Sequence, residues 1–153
     1  MNSYGLIDLH CDTLAEYWKY AHTGNPDTLD NPGRVLSLSN MPKDVHWAQF
    51  YAVFIPDEER GQAAIDYFEK NRANFYRQVE KFGDRVAPCR NADDMEKAWA
   101  AGKTAAFLTI ENGSALAGDL SRVHTLAEQG VRAITLTWNG ENELGSGHTT
   151  DHG

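Results

Sequence analysis

Apolar residues along this chain gather into short unbroken runs, separated by stretches in which they recur every three or four positions. Residues 4–10 predict a short strand that ends in polar residues. Thr13 then opens a helix, with Glu16 three residues on as its capping-box partner and Leu14, Tyr17, Trp18 and Ala21 as its apolar face. From 22 to 40 the Gly, Pro, Asn and Asp content marks a long loop. Aromatic and β-branched residues at 47–55 predict a second strand, stopped by Pro56. The clearest helix covers 60–82, where Ile65, Phe68, Arg72, Phe75, Val79 and Phe82 recur at the spacing of one helical face. Val86–Pro88 reads as a short extra strand, and Asn91 can cap a helix that carries Met95, Ala98 and Trp99. Residues 104–110 form a near-continuous apolar run, as in a strand buried on both faces. A helix at 119–129 is closed by Gly130, and a last strand at 131–137 ends at Trp138-Asn139.

Strands alternating with helices predict a parallel sheet with helices outside it. A doubly wound sheet and a (β/α)8 barrel both fit this order. Two features favour the barrel. Chemically able residues sit at the C-terminal ends of at least three strands, where a barrel builds its site. No Gly-x-Gly-x-x-Gly follows the first strand, so the phosphate-binding turn of the dinucleotide fold is missing. About four βα units make half of a TIM-type barrel, and a complete one runs to about 250 residues. The fold class is therefore α/β, with residues 1–153 expected to be a single incomplete domain, the N-terminal half of a barrel. Such a half would leave two sheet edges unpaired.

Composition narrows the partners. With 153 residues, 41% of them hydrophobic, the chain is globular in character. A formal net charge of −8 argues against nucleic acid or an anionic membrane surface, since either needs a basic face. No run approaches the roughly 20 apolar residues of a spanning helix. No secretory pattern opens the chain, and two cysteines cannot build a multi-bridge framework, so a reduced cytoplasmic protein is expected.

Three residues could carry chemistry. His10 and Asp12 stand two apart at the end of a strand, so their side chains share one side, and imidazole plus carboxylate suits a divalent metal of the zinc type. The alternative is a loop in which Asp12 caps the next helix and His10 bonds to backbone. Glu111 ends an otherwise apolar strand, where a charge is costly unless paired or bound to metal. A salt-bridged strand-end glutamate is the plainer reading of Glu111 alone; equivalent strand ends for all three point to a shared site. His22, His46 and His124 read as surface or packing residues. His148 and His152 are four apart, but in a stretch without helical pattern. Cys11 should point away from its neighbours and reads as a small buried residue.

Four motifs occur in order: Ile7-Asp8-Leu9-His10-Cys11-Asp12-Thr13-Leu14, Gln49-Phe50-Tyr51-Ala52-Val53-Phe54, Thr109-Ile110-Glu111-Asn112-Gly113 and Ile134-Thr135-Leu136-Thr137-Trp138-Asn139. Together they resemble the opening half of the membrane dipeptidase (renal dipeptidase) family of zinc peptidases. The resemblance implies a metallo-dependent hydrolase barrel with two zinc ions at its C-terminal mouth. His10 and Asp12 match the ligands of one zinc, and Glu111 matches the catalytic carboxylate bridging both. It implies hydrolysis of dipeptides, including those with a C-terminal D-amino acid, through a metal-activated water. Two histidines, an aspartate and an arginine from later strands have no match before Gly153, so one zinc at most is expected here, with little activity from this chain alone. Some family members carry a substrate-binding histidine where this chain has Trp138; Trp138 and Asn139 are the candidate substrate contacts. The expected partners are a dipeptide and either a missing C-terminal half or a second copy. Two other readings stay open: a non-catalytic half barrel that self-associates or pairs with another chain, and another metal-dependent amidohydrolase.

Overall fold

The computed structural model describes residues 4–14 and 29–151. The expected helix on Tyr17, Trp18 and Ala21, together with Glu16, His22 and His152, lies outside the described residues. Strands β1 (Gly5–Cys11), β2 (His46–Phe54), β3 (Val86–Pro88), β4 (Thr104–Glu111) and β5 (Val131–Ile134) form one parallel sheet. Helices α1 (Gln62–Lys81), α2 (Ala92–Ala100) and α3 (Arg122–Glu128) connect them, with a short 3-10 helix at Gly113–Leu116.

The strand order decides between the two topologies that the sequence leaves open. β1 pairs with β2, β2 with β4, and β4 with β5, so the long strands follow chain order with β1 at the margin. A doubly wound sheet instead places its first strand inside, where the order reverses. β3 takes only the first residues of the free edge of β4, Thr104 to Ala106, and leaves Leu108 to Ile110 for β5. One edge thus serves two short strands. The sheet is the successive-strand half of a barrel.

Alternation along β2 and β4 divides their side chains between two faces. Tyr51, Val53, Ala106, Leu108 and Ile110 join Phe68, Phe75 and Val79 of α1 and Leu126 of α3 in the main core. This is the outer, helix-covered face. Ala48, Phe50, Ala105 and Phe107 point the other way, and the rings of Phe50 and Phe107 stack at 4.6 Å. α1 and α3 lie outside the sheet as the alternation predicts. α2 departs from that arrangement: its Met95, Ala98 and Trp99 pack on the inner face. Small residues at the N-terminal strand ends allow this. Trp99 sits where a Cβ on Gly5 would come within 3.0 Å of its ring, and its Nε1 donates to Trp47 O at 3.0 Å. α2 therefore closes the lower end of the inner face and leaves the C-terminal end open.

Local chemistry sets the element ends. Asn91 caps α2 by accepting from Asp94 N at 2.8 Å, while the Asp94 carboxylate accepts from Arg90 N, just ahead of the cap, at 2.9 Å. Gly130 holds φ at +105°, and a Cβ there would lie 2.0 Å from the Tyr76 hydroxyl, so α3 must end on glycine. The buried stripe of α1 is more polar than its spacing suggests. Asn71, Asn74 and Gln78 are buried beside Phe68 and Phe75, while Arg72 turns aside to pair with Glu69 at 2.6 Å. Gln78 Oε1 accepts from Leu29 N at 3.2 Å and so ties the incoming loop to the helix. β5 is shorter than the predicted 131–137, because the Thr135 hydroxyl accepts from Asn112 N and the chain turns there. No helix among the described residues is long and apolar enough to cross a membrane.

The loop before β2 is anchored by a charge. Asp30 accepts from Arg85 Nη2 at 2.6 Å and from the Ser39 hydroxyl. The Arg85 guanidinium holds the Asp30 carboxyl below the ordinary carboxylate range. A carboxyl depressed in the folded state stabilises fully above its unfolded value, near pH 4, and loses that contribution as pH falls through its folded value. Asp30→Asn is expected to lower unfolding stability by about 1 kcal/mol at pH 7, since the pair is partly exposed. The difference from wild type should shrink as pH falls; urea titrations at pH 7 and pH 3 measure it, and a constant difference would rule out the ion pair as its cause.

Candidate metal centre

The site begins with an irregularity in β1. Asp8 pairs with Gln49, yet Cys11 pairs with Tyr51, so Leu9 and His10 both stand opposite Phe50. One extra residue in the strand is a β-bulge, which re-aims the side chains beyond it. Strict alternation from Ile7, which pairs with inner-facing Ala48, would send His10 toward the helices. The bulge returns it to the inner face and sends Cys11 to the core beside Tyr51. Gln49 is fully buried next to the irregularity, and its Nε2 donates to Phe50 O at 3.2 Å and to Asp8 O at 3.4 Å.

Glu111 reaches the same place by register alone. It is the last residue of β4, paired with Phe54 at the last residue of β2, both on the inner face. His10 Nε2 lies 3.5 Å from Glu111 Oε2 and 3.3 Å from Asp12 Oδ1. One ligand atom from each of the three falls within 4.8 Å of the others. The structure thus brings His10, Asp12 and Glu111 together at the C-terminal mouth of the sheet.

The electrostatics of this cluster suit a cation. Burial pushes the Glu111 carboxyl above its ordinary value, His10 opposes the shift, and the Asp12 charge adds to it. Among the described residues no lysine or arginine pairs with this carboxylate. Two carboxylates and an imidazole that converge here form the nitrogen and oxygen donor set that zinc-type ions take. The residues present fit a divalent metal. Beside them opens a cavity of about 750 Å³ lined by Asp8, His10, Asp12, Asn31, Arg34 and Leu36.

Trp138 lies at the same level of the mouth. Its ring packs edge-on against Phe54 at 4.7 Å, and Phe54 is the strand neighbour of Glu111. Asn139 contributes its backbone carbonyl, which accepts from Thr149 N at 3.0 Å. Other candidates stay apart. His46 stacks on Trp99 at the opposite end of the sheet, and His124 is exposed on α3. His148 lies outside the cluster. Burial raises the Cys11 thiol to about 11, which keeps it protonated near neutrality. Sequence reasoning missed Phe54 as the floor under Trp138, and also Asn112; its signal was a turn-forming residue placed between Glu111 and Gly113 at a strand end.

The membrane dipeptidase family (peptidase family M19) matches residues 1–153. The chain belongs to that family. Solved structures share its fold. The dipeptidase AC, a metallo peptidase, superposes with a TM-score of 0.75 at 18% identity, over 92% of this chain and 45% of its own. A metallo peptidase from Rhodobacter sphaeroides, liganded with a phosphinate mimic of the dipeptide L-Ala-D-Ala, gives 0.74 at 16% identity, over 92% and 47%. An amidohydrolase from Pseudomonas aeruginosa gives 0.62 at 23% identity, over 72% and 32%. This membrane dipeptidase family chain spans less than half the length of each of these structures.

Isothermal titration with zinc is expected to show one ion at most per chain. Glu111→Gln and His10→Ala should each weaken it at least tenfold, a loss of about 1.4 kcal/mol or more. Unchanged affinity in either variant would remove that residue from the metal set.

Proposed function

We propose that these residues serve zinc-dependent hydrolysis of dipeptides, those with a C-terminal D-amino acid included. The observation that carries this reading is the convergence of His10, Asp12 and Glu111 at the strand ends of a chain in a dipeptidase family. His10 and Asp12 would hold one ion, and Glu111 would be shared with a second one whose other ligands lie beyond the three residues found here. Bound zinc supplies Lewis acidity toward water and toward a peptide carbonyl. Glu111 holds its carboxylate at the floor of the mouth, half-buried, where its charge is little screened. Trp138 offers an apolar wall to the substrate side chain, with Asn139 next to it. A phosphinate dipeptide mimic in a protein of the same fold supports the substrate class.

The complete zinc-loaded enzyme that contains residues 1–153 is to be assayed on L-Ala-D-Ala and L-Ala-L-Ala, with residues 1–153 alone expected to show little activity. Hydrolysis of both is expected, with Glu111→Ala lowering kcat about a thousandfold, near 4 kcal/mol. Full activity in the variant would sink the role of Glu111. Cleavage of a cyclic amide but of no dipeptide would favour an amidohydrolase instead.

A second reading rests on the free edge of β1. Among the described residues no strand pairs with its outer side, and Leu6, Ile7 and Leu9 are 40%, 52% and 69% exposed. An apolar, unpaired edge asks for a partner strand. The partner would be further strands of the same fold or a second copy of this chain. Sedimentation separates them: a dimer that binds no zinc would favour the non-catalytic half barrel, and a zinc-binding monomer would count against it.

A further inference from the structure

Immediately after Glu111 the backbone enters a conformation that side chains rarely adopt. Asn112 has φ +73° and ψ +106°, and it is one of two described non-glycine residues with positive φ. Asparagine tolerates this region better than most residues, though at a cost. Its side chain is completely buried. A strained, buried amide persists only where its surroundings hold it, and here they are dense.

The Asn112 Nδ2 donates to Ile55 O at 2.8 Å and to Asp57 Oδ1 at 3.2 Å. Its Oδ1 accepts from the Ser114 hydroxyl and from Asn142 Nδ2, both at 2.8 Å. Its backbone N–H donates to the Thr135 hydroxyl at 3.0 Å. Asp57 extends the set by accepting from Gly140 N at 2.8 Å, and Arg60 bridges Ser114 and the carbonyl of Glu141. Asn142 returns to Leu136 O at 2.7 Å. Three segments therefore meet on one amide: the end of β2, the turn after β4, and the chain after β5. Close approach is general here, since a Cβ on Gly113 would lie 2.5 Å from Leu144 and 3.0 Å from Leu136 O.

We propose that Asn112 is a positioning residue, which fixes the Trp138-bearing segment 135–142 against the strand end that carries Glu111. The metal side and the substrate side of the mouth are then held at one spacing by a single buried amide. The assignment of a substrate side rests on the dipeptidase reading; the mechanical coupling does not. Glycine would suit the backbone at 112 and keep its N–H bond to Thr135, but would satisfy none of the side-chain partners. Aspartate would keep the acceptors and set a second carboxylate against Asp57.

The experiment is amide hydrogen exchange read by mass spectrometry, with zinc affinity measured on the same samples. Asn112→Gly is expected to speed exchange in 135–142 at least tenfold, leaving β2 and β4 protected and zinc affinity within twofold of wild type. Asn112→Asp should loosen the same segment. Adding Asp57→Asn to it restores a donor opposite an acceptor with the polarity reversed, and should return exchange toward wild type. In dipeptide hydrolysis by the complete enzyme that contains residues 1–153, Asn112→Gly should raise KM about tenfold at nearly unchanged kcat. Wild-type exchange in 135–142, loss of protection spread over the whole chain, or a fall in kcat at unchanged KM would each overturn the proposal. A wild-type protein that binds no zinc would refute the metal reading and leave the exchange result to stand on its own.

Discussion

The parallel pairing of β2 with β4 is the constraint on which the rest depends. Seven consecutive residues match, from Ala48 opposite Ala105 to Phe54 opposite Glu111, without a shift. Because side chains alternate with period two, that register fixes a whole column of inner-face residues at once. Ala48 and Ala105 make room for α2, Phe50 and Phe107 stack above them, and Ala52 and Thr109 form the next layer. Phe54 and Glu111 end the column. A slip of β4 by one residue would bury the Glu111 carboxylate on the side of Phe68 and Phe75 and would turn Leu108 to the inner face. The charge at the mouth and the apolar core outside are two consequences of one register.

The strands of this column were legible in the sequence, because continuous apolar runs and turn residues are short-range signals. The helix over 60–82 was equally plain, although its buried face includes Asn71, Asn74 and Gln78, which periodicity counts as polar. Those amides are tolerable inside only because partners such as Leu29 N meet them, and such partners are long-range. The inner placement of α2 could not be read from the chain at all. It depends on Gly5, Ala48 and Ala105 lining up across three strands. No one of them stands out in sequence.

At the site, the His10 to Asp12 spacing gave the right neighbours for a reason that omitted half of the geometry. Two residues apart on a strand do share a side, but which side was unknown until the bulge between Asp8 and Cys11 was seen. A bulge has no residue signature here, and its evidence is the difference between two pairings. Asn112 was hidden differently. An asparagine after a strand reads as ordinary turn chemistry, and only its buried position and its several partners mark it out.

The fate of Cys11 bears on the kind of metal that the mouth can hold. It lies between two candidate ligands, and a thiolate there would make a soft, strongly bound site of the structural type. The bulge prevents this by turning Cys11 into the core beside Tyr51, where burial pushes its thiol up to about 11 and that of the Tyr51 hydroxyl upward as well. What remains at the mouth is one imidazole and two carboxylates, with His10 and Asp12 well exposed. Such a set is of the imidazole and carboxylate kind, with no thiolate among its three donors. The strand irregularity therefore does two things at once: it brings the imidazole in and keeps the sulfur out. Both follow from the one extra residue in β1, and a regular strand there would give neither.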